Sequence, residues 1–252
     1  SKDVFDDTLV VLESRLTHEE VQRSMKVISQ GPKRESIMMS AAGSGDKETW
    51  NAVLAQLERS MSKTEVKKIM MGETEMYTYR IHDGTIFHPA IRSGSIAVFE
   101  AVLAGVNQHL TPDERDLVML LANRKNPSIL HVAAEGGDKG MFEAVCAALK
   151  DGPGSEELEK LVGSSLSFGR NILHFAASSG SKEMFEAVLA IVKEHQVKPM
   201  MVPLVDSEEE HDAPDGRLGD VASVLHVAAS SGSKAAFEAV LVALQQYLTP
   251  DE

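Results

Sequence analysis

The sequence predicts an all-α fold, an array of stacked helical repeats in the form of a solenoid, and three residue types that keep step along the chain predict it. A small residue recurs at Ala41, Ala90, Ala133, Ala176 and Ala228, in steps of 49, 43, 43 and 52 residues. A glycine follows four residues later at Gly45, Gly94, Gly137, Gly180 and Gly232, and an aromatic five after that at Trp50, Phe99, Phe142, Phe185 and Phe237. A period of about 43 residues is the range of repeat arrays, in which each unit buries its apolar face on its neighbours.

Each unit reads as a helix, a turn and a second helix. Ser36, Thr85, Ser128, Asn171 and Ser223 stand before the apolar pair that opens the first helix, where a side-chain oxygen can accept from an orphan N–H. The register glycine ends that helix because it enters the left-handed region without a Cβ penalty. Asp46, Ser95, Asp138, Ser181 and Ser233 then supply a second N-cap. In the second helix Phe185, Val188, Leu189 and Val192 fall at i, i+3, i+4 and i+7, as do Phe99, Val102, Leu103 and Val106. That stripe needs a neighbour to cover it.

Several units add a third helix. Ser62 with Glu65 and Thr111 with Glu114 form capping boxes, Pro112 suits the first helical position, and Thr17 with Glu20 repeats the pattern. Val66, Ile69 and Met70, then Leu117, Leu120 and Leu121, continue at helical spacing, and Ser155 opens a shorter version to about Val162. About five full units result, 36–84, 85–127, 128–170, 171–222 and 223–252, preceded by a partial N-terminal unit over 1–35, all in one domain. The first and last segments read as cut units, as in a piece of a longer protein.

Two stretches leave the register. Met76 to Ile81 alternate with β-formers before Asp83-Gly84, which reads as a short extended arm; Tyr77 and Tyr79 on it either contact a partner or pack on the array. Residues 198–222 form a loop insertion with three prolines in or beside it and the acidic run Glu208-Glu209-Glu210-His211-Asp212. A solvated charged loop is the default there, ahead of metal binding through His211 or phosphorylation of Ser207.

Composition narrows the function. The net charge of −13 speaks against phosphate-backbone binding, so nucleic acid is not the expected partner and a basic protein surface is. The one cysteine, Cys146, occupies a position where other units have Leu and reads as a small buried apolar residue in a reducing compartment, here the cytoplasm. No apolar run is long enough to span a bilayer. No phosphate loop, zinc-protease or nucleophile-elbow motif appears, and neither catalysis, a cofactor nor a metal is expected. The repeated Glu100, Glu143, Glu186 and Glu238 read as a solvated face.

Leu130-His131-Val132-Ala133-Ala134, Leu173-His174-Phe175-Ala176-Ala177 and Leu225-His226-Val227-Ala228-Ala229, each followed by a Gly-terminated turn and a second helix, resemble the ankyrin repeat. The likeness is diverged: Met38-Met39 replaces Leu-His in the first full unit, Pro89 enters the second, and most units exceed the family's period of about 33 by roughly ten residues. Armadillo or HEAT arrays are the alternative architecture. The resemblance implies that Thr85, Ser128, Asn171 and Ser223 hydrogen-bond the imidazoles of His88, His131, His174 and His226. It further implies a scaffold or adaptor that binds another protein through first-helix positions Arg92, Glu135, Ser178 and Ser230. The alternative function is a targeting or regulatory arm of a larger enzyme or channel.

Overall fold

A computed structural model describes residues 36–72, 84–121, 127–166, 170–197 and 223–247. Among the described residues the secondary structure is thirteen α-helices, with one isolated antiparallel bridge between Ser165 and Asn171 and no strand. The partial unit over 1–35, the arm with Tyr77 and Tyr79, and the 198–222 insertion lie outside them. The chain divides into two compact units, Ser1–Leu121 and Ala122–Glu252.

The first unit holds α1 (Ile37–Gly43), α2 (Lys47–Ser60), α3 (Lys63–Met71), α4 (Phe87–Arg92), α5 (Ile96–His109) and α6 (Pro112–Leu120). First helix packs on first helix, α1 on α4, and second on second, α2 on α5. Trp50 and Phe99, the register aromatics, are both buried, and Phe87 tilts onto Phe99 at 5.9 Å between ring centroids. Gly105 lets α5 approach α2 closely: a Cβ there would lie 3.1 Å from Leu54 and 3.3 Å from the Trp50 ring. Both expected capping boxes form, Ser62 with Glu65 on α3 and Thr111 with Glu114 on α6, with Pro112 in the first turn.

The second unit holds α7 (Ile129–Gly136), α8 (Lys139–Asp151), α9 (Ser155–Gly163), α10 (Ile172–Ser178), α11 (Lys182–Glu194), α12 (Val224–Ser230) and α13 (Lys234–Tyr247). Here the first helices pack in order, α7 on α10 and α10 on α12, while α8 meets α11 and α11 meets α13. The predicted stripe Phe185, Val188, Leu189 and Val192 is buried throughout. Burying side chains of this size contributes about 1.5–3 kcal/mol each, and α11 obtains that from α8, α9 and α13 rather than from its own partner α10 alone.

Local signals act as expected at most helix ends. All five register glycines adopt left-handed backbone, with φ between 69° and 74°. Asp46, Ser95, Asp138 and Ser181 each accept a backbone N–H from their own first turn, and Ser233 accepts from the Ala236 N–H at 3.2 Å.

Two expectations need correction. Thr85 is not the N-cap of α4; Ile86 is, without a side-chain cap. The cause is Pro89, which has no N–H to give the Thr85 carbonyl, so the turn closes instead from the His88 N–H to that carbonyl at 3.0 Å and the helix starts one residue late. On α6 the buried residues are Val118 and Met119, while Leu117 is 49% exposed and Leu120 and Leu121 are half-buried, so the Leu stripe is rotated from the packed face. The short third helix α9 opens at Ser155 as the sequence reads, behind an N-cap glycine, Gly154, with φ 105°.

Candidate interaction surface

The histidine after each first-helix cap is held as the resemblance implied. Nδ1 lies 3.2 Å from Thr85 Oγ1 in His88, 2.7 Å from Ser128 Oγ in His131, 2.9 Å from Asn171 Oδ1 in His174 and 2.7 Å from Ser223 Oγ in His226. The first three rings are buried; His226 is exposed. Where Thr85 has lost its capping role, its backbone N–H donates to His88 Nδ1 at 2.9 Å. The ring then lies so close to Gly84 that a Cβ there would sit 2.5 Å from it. These histidines are structural pins of the first helix.

A second device closes each turn. Ser44, Ser93, Ser179 and Ser231 donate Oγ–H to the carbonyls of Ala41, Ala90, Ala176 and Ala228 at 2.6–2.7 Å. Each also accepts the N–H two residues on, from Asp46, Ser95, Ser181 and Ser233, at 3.1–3.3 Å. One hydroxyl thereby satisfies an orphan carbonyl and orders the following cap. The third unit has Gly136 at this position. The serine keeps register in four of the five units, and that recurrence was the available signal for it in the sequence.

The turns of neighbouring pairs approach closely. A Cβ on Gly137 would stand 3.4 Å from Ser179 Cβ, and one on Gly180 3.4 Å from Ser233 Cβ.

Of the expected contact residues, Arg92 is exposed at the last turn of α4 in the first unit. Glu135, Ser178 and Ser230 occupy the same register position on α7, α10 and α12 of the second unit. Glu135 and Ser230 are exposed and Ser178 is half-buried. The two serine hydroxyls are already donating, Ser178 to the Phe175 carbonyl at 2.8 Å and Ser230 to the His226 carbonyl at 2.9 Å. Each retains acceptor capacity for a visitor, so only Glu135 brings formal charge to this line. Tyr77 and Tyr79 lie outside the described residues.

The outer acids are paired. Glu143, Glu186 and Glu238 stand one helical turn after Lys139, Lys182 and Lys234, at 3.5–3.7 Å. Each exposed pair contributes about 0.3–0.5 kcal/mol. Glu100 has Ile96 where those acids have lysine. At the far end of the second helices, neighbouring units are joined by side chains. Glu58 accepts from Gln108 Nε2 at 2.9 Å and meets His109 Nε2 at 2.8 Å, and Lys150 reaches Glu194 at 3.4 Å with the charges reversed.

Electrostatics isolates three groups. Burial, and secondarily the Arg170 guanidinium, push the His131 imidazole down to about 4. Burial pushes the Cys146 thiol up to about 12. The Lys67 ammonium, helped by the Thr111 N–H, holds the Glu114 carboxyl down to about 2. Among the described residues no three His, Cys, Asp or Glu side chains converge as a metal site, and no helix is long and apolar enough to cross a membrane.

No protein-family model matches this chain, and no curated protein matches it.

Proposed function

We propose that this chain is a non-catalytic protein-interaction scaffold or adaptor, built as a solenoid of ankyrin-like units enlarged by third helices. The observation that carries the reading is the imidazole pin, present in four units, combined with left-handed register glycines in all five. Both belong to the motif on which the resemblance rests. The ordered packing of α7, α10 and α12 supports a solenoid within the second unit.

In this reading the last turns of the first helices meet the partner. Glu135 supplies charge, Ser178 and Ser230 supply acceptors, and Arg92 plays the corresponding part in the first unit. A basic patch on the partner complements Glu135, while the lysine-paired acids of α8, α11 and α13 contribute little net field.

Affinity capture from a cell extract, repeated with Glu135→Lys and Arg92→Glu, tests the proposal. The expected result is a protein retained by the native chain and lost on reversal of either charge while far-UV circular dichroism is unchanged. A retained set indifferent to both substitutions rejects the surface; retention of nothing above an unrelated helical protein rejects the scaffold.

A further inference from the structure

We propose that the seam between α7 and α10 is an acid-sensitive joint, opened by protonation of His131. The ring is fully buried, with Nδ1 2.7 Å from Ser128 Oγ, and Nε2 has no hydrogen-bond partner among the described residues. It meets Phe175 of α10 edge-on at 5.1 Å, and the Arg170 guanidinium lies 4.7 Å from the centroid of that same ring. His131 is thus an imidazole buried at the inter-helix contact, with a fixed positive charge stacked on its aromatic neighbour.

A second ring proton is unfavourable because one of the two nitrogens, Nε2, is buried without a partner among the described residues. Ser128 Oγ lies 2.7 Å from Nδ1 and takes the His131 backbone N–H at 3.4 Å; with two lone pairs it can also accept from a protonated Nδ1, so the cost of the cation falls on Nε2. Among the described residues Nε2 has neither a carboxylate nor a carbonyl to accept from it. Among the described residues no packed element offsets this. Every Lys, Asp and Glu of α8 and α11 is solvent-exposed, the buried ionisable group of α8 is the Cys146 thiol, and the only ionisable side chain of α10 is His174, itself bonded to Asn171. Arg170, from the segment leading into α10, adds repulsion. The imidazolium is accommodated by separating α7 from α10, where solvent reaches Nε2.

His226 provides an internal control. It has the same serine bond at the same 2.7 Å but is exposed.

Amide hydrogen exchange at pH 7.5 and pH 4.5, corrected for intrinsic rates, tests the joint on the full chain. The opening equilibrium of α7 and α10 is expected to rise roughly 100-fold at the lower pH. His131→Gln is expected to abolish the difference and His226→Gln to leave it intact. An equal rise in His131→Gln, or retained protection of the native seam at pH 4.5, overturns the proposal. Imidazole NMR of the native chain gives a variant-free readout. The His131 resonance is expected to titrate well below the ordinary histidine range and together with the loss of seam protection, and titration near 6.5 without that loss overturns it.

Discussion

The Ser128 hydroxyl lies 2.7 Å from His131 Nδ1 and also takes the His131 backbone N–H at 3.4 Å, so one side chain caps α7 and fixes the ring that α7 packs against α10. Ser223 and His226 repeat both distances in the last unit. The difference is cover: Ser128 and His131 are buried, whereas His226 is exposed. Ser128→Ala removes the cap and strands a buried ring nitrogen, at about 2–3 kcal/mol, while Ser223→Ala costs about 1 kcal/mol. Urea unfolding of the two variants checks the ordering.

Gly136→Ser is expected to stabilise the protein by about 1 kcal/mol. It installs the hydroxyl that Ser44, Ser93, Ser179 and Ser231 use to join a carbonyl to the following cap, and a Cβ at Gly136 meets nothing within 4 Å. Replacing a helical glycine adds to the gain. A rise in thermal midpoint checks it. Gly137→Ala, one residue on, destabilises because φ there is +74°.

The register was legible because stacking forces it: a residue that caps, turns or fills the interface in one unit must do so in the next. Thus the second caps, the turn glycines, the capping boxes at Ser62 and Thr111 and the imidazole pins stand where the sequence places them. Thr85 escaped because the consequence of Pro89 is a lost backbone donor four residues away, which a list of good capping residues does not register. The Leu117 stripe escaped because i, i+3, i+4 spacing names a helix face without naming what it faces; packing uses Val118 and Met119 instead. The contact line of Glu135, Ser178 and Ser230 is legible only as register. Nothing in the spacing shows that both serine hydroxyls are already committed to carbonyls of their own helices.

Glu114 combines a capping box with the Lys67 ion pair, and its carboxyl is held down to about 2. A depressed folded value places its stabilisation above the ordinary carboxylate range and removes it as pH falls toward 2. Carboxyl NMR is expected to show the low titration in the native chain and a return toward the ordinary range in Lys67→Met, Lys67 being the leading cause.

Cys146 is buried on α8 with its thiol pushed up to about 12. Alkylation by iodoacetamide at pH 8 is expected to be negligible in the folded chain and complete in denaturant, because the thiolate is the reactive form. Reaction with the native protein at the rate of an exposed thiol contradicts the placement.

Phe185 and Phe237 hold the same register position, and each belongs to a helix pair with the same local signals. Phe185 is fully buried; Phe237, in the final pair, is half-buried. If neighbouring pairs supply the cover, the same substitution must cost different amounts at the two sites. Equilibrium urea unfolding of Phe185→Ala and Phe237→Ala measures this directly. The stacked-repeat account predicts a loss of about 3–5 kcal/mol for the first and less than half of that for the second. Equal losses would contradict it.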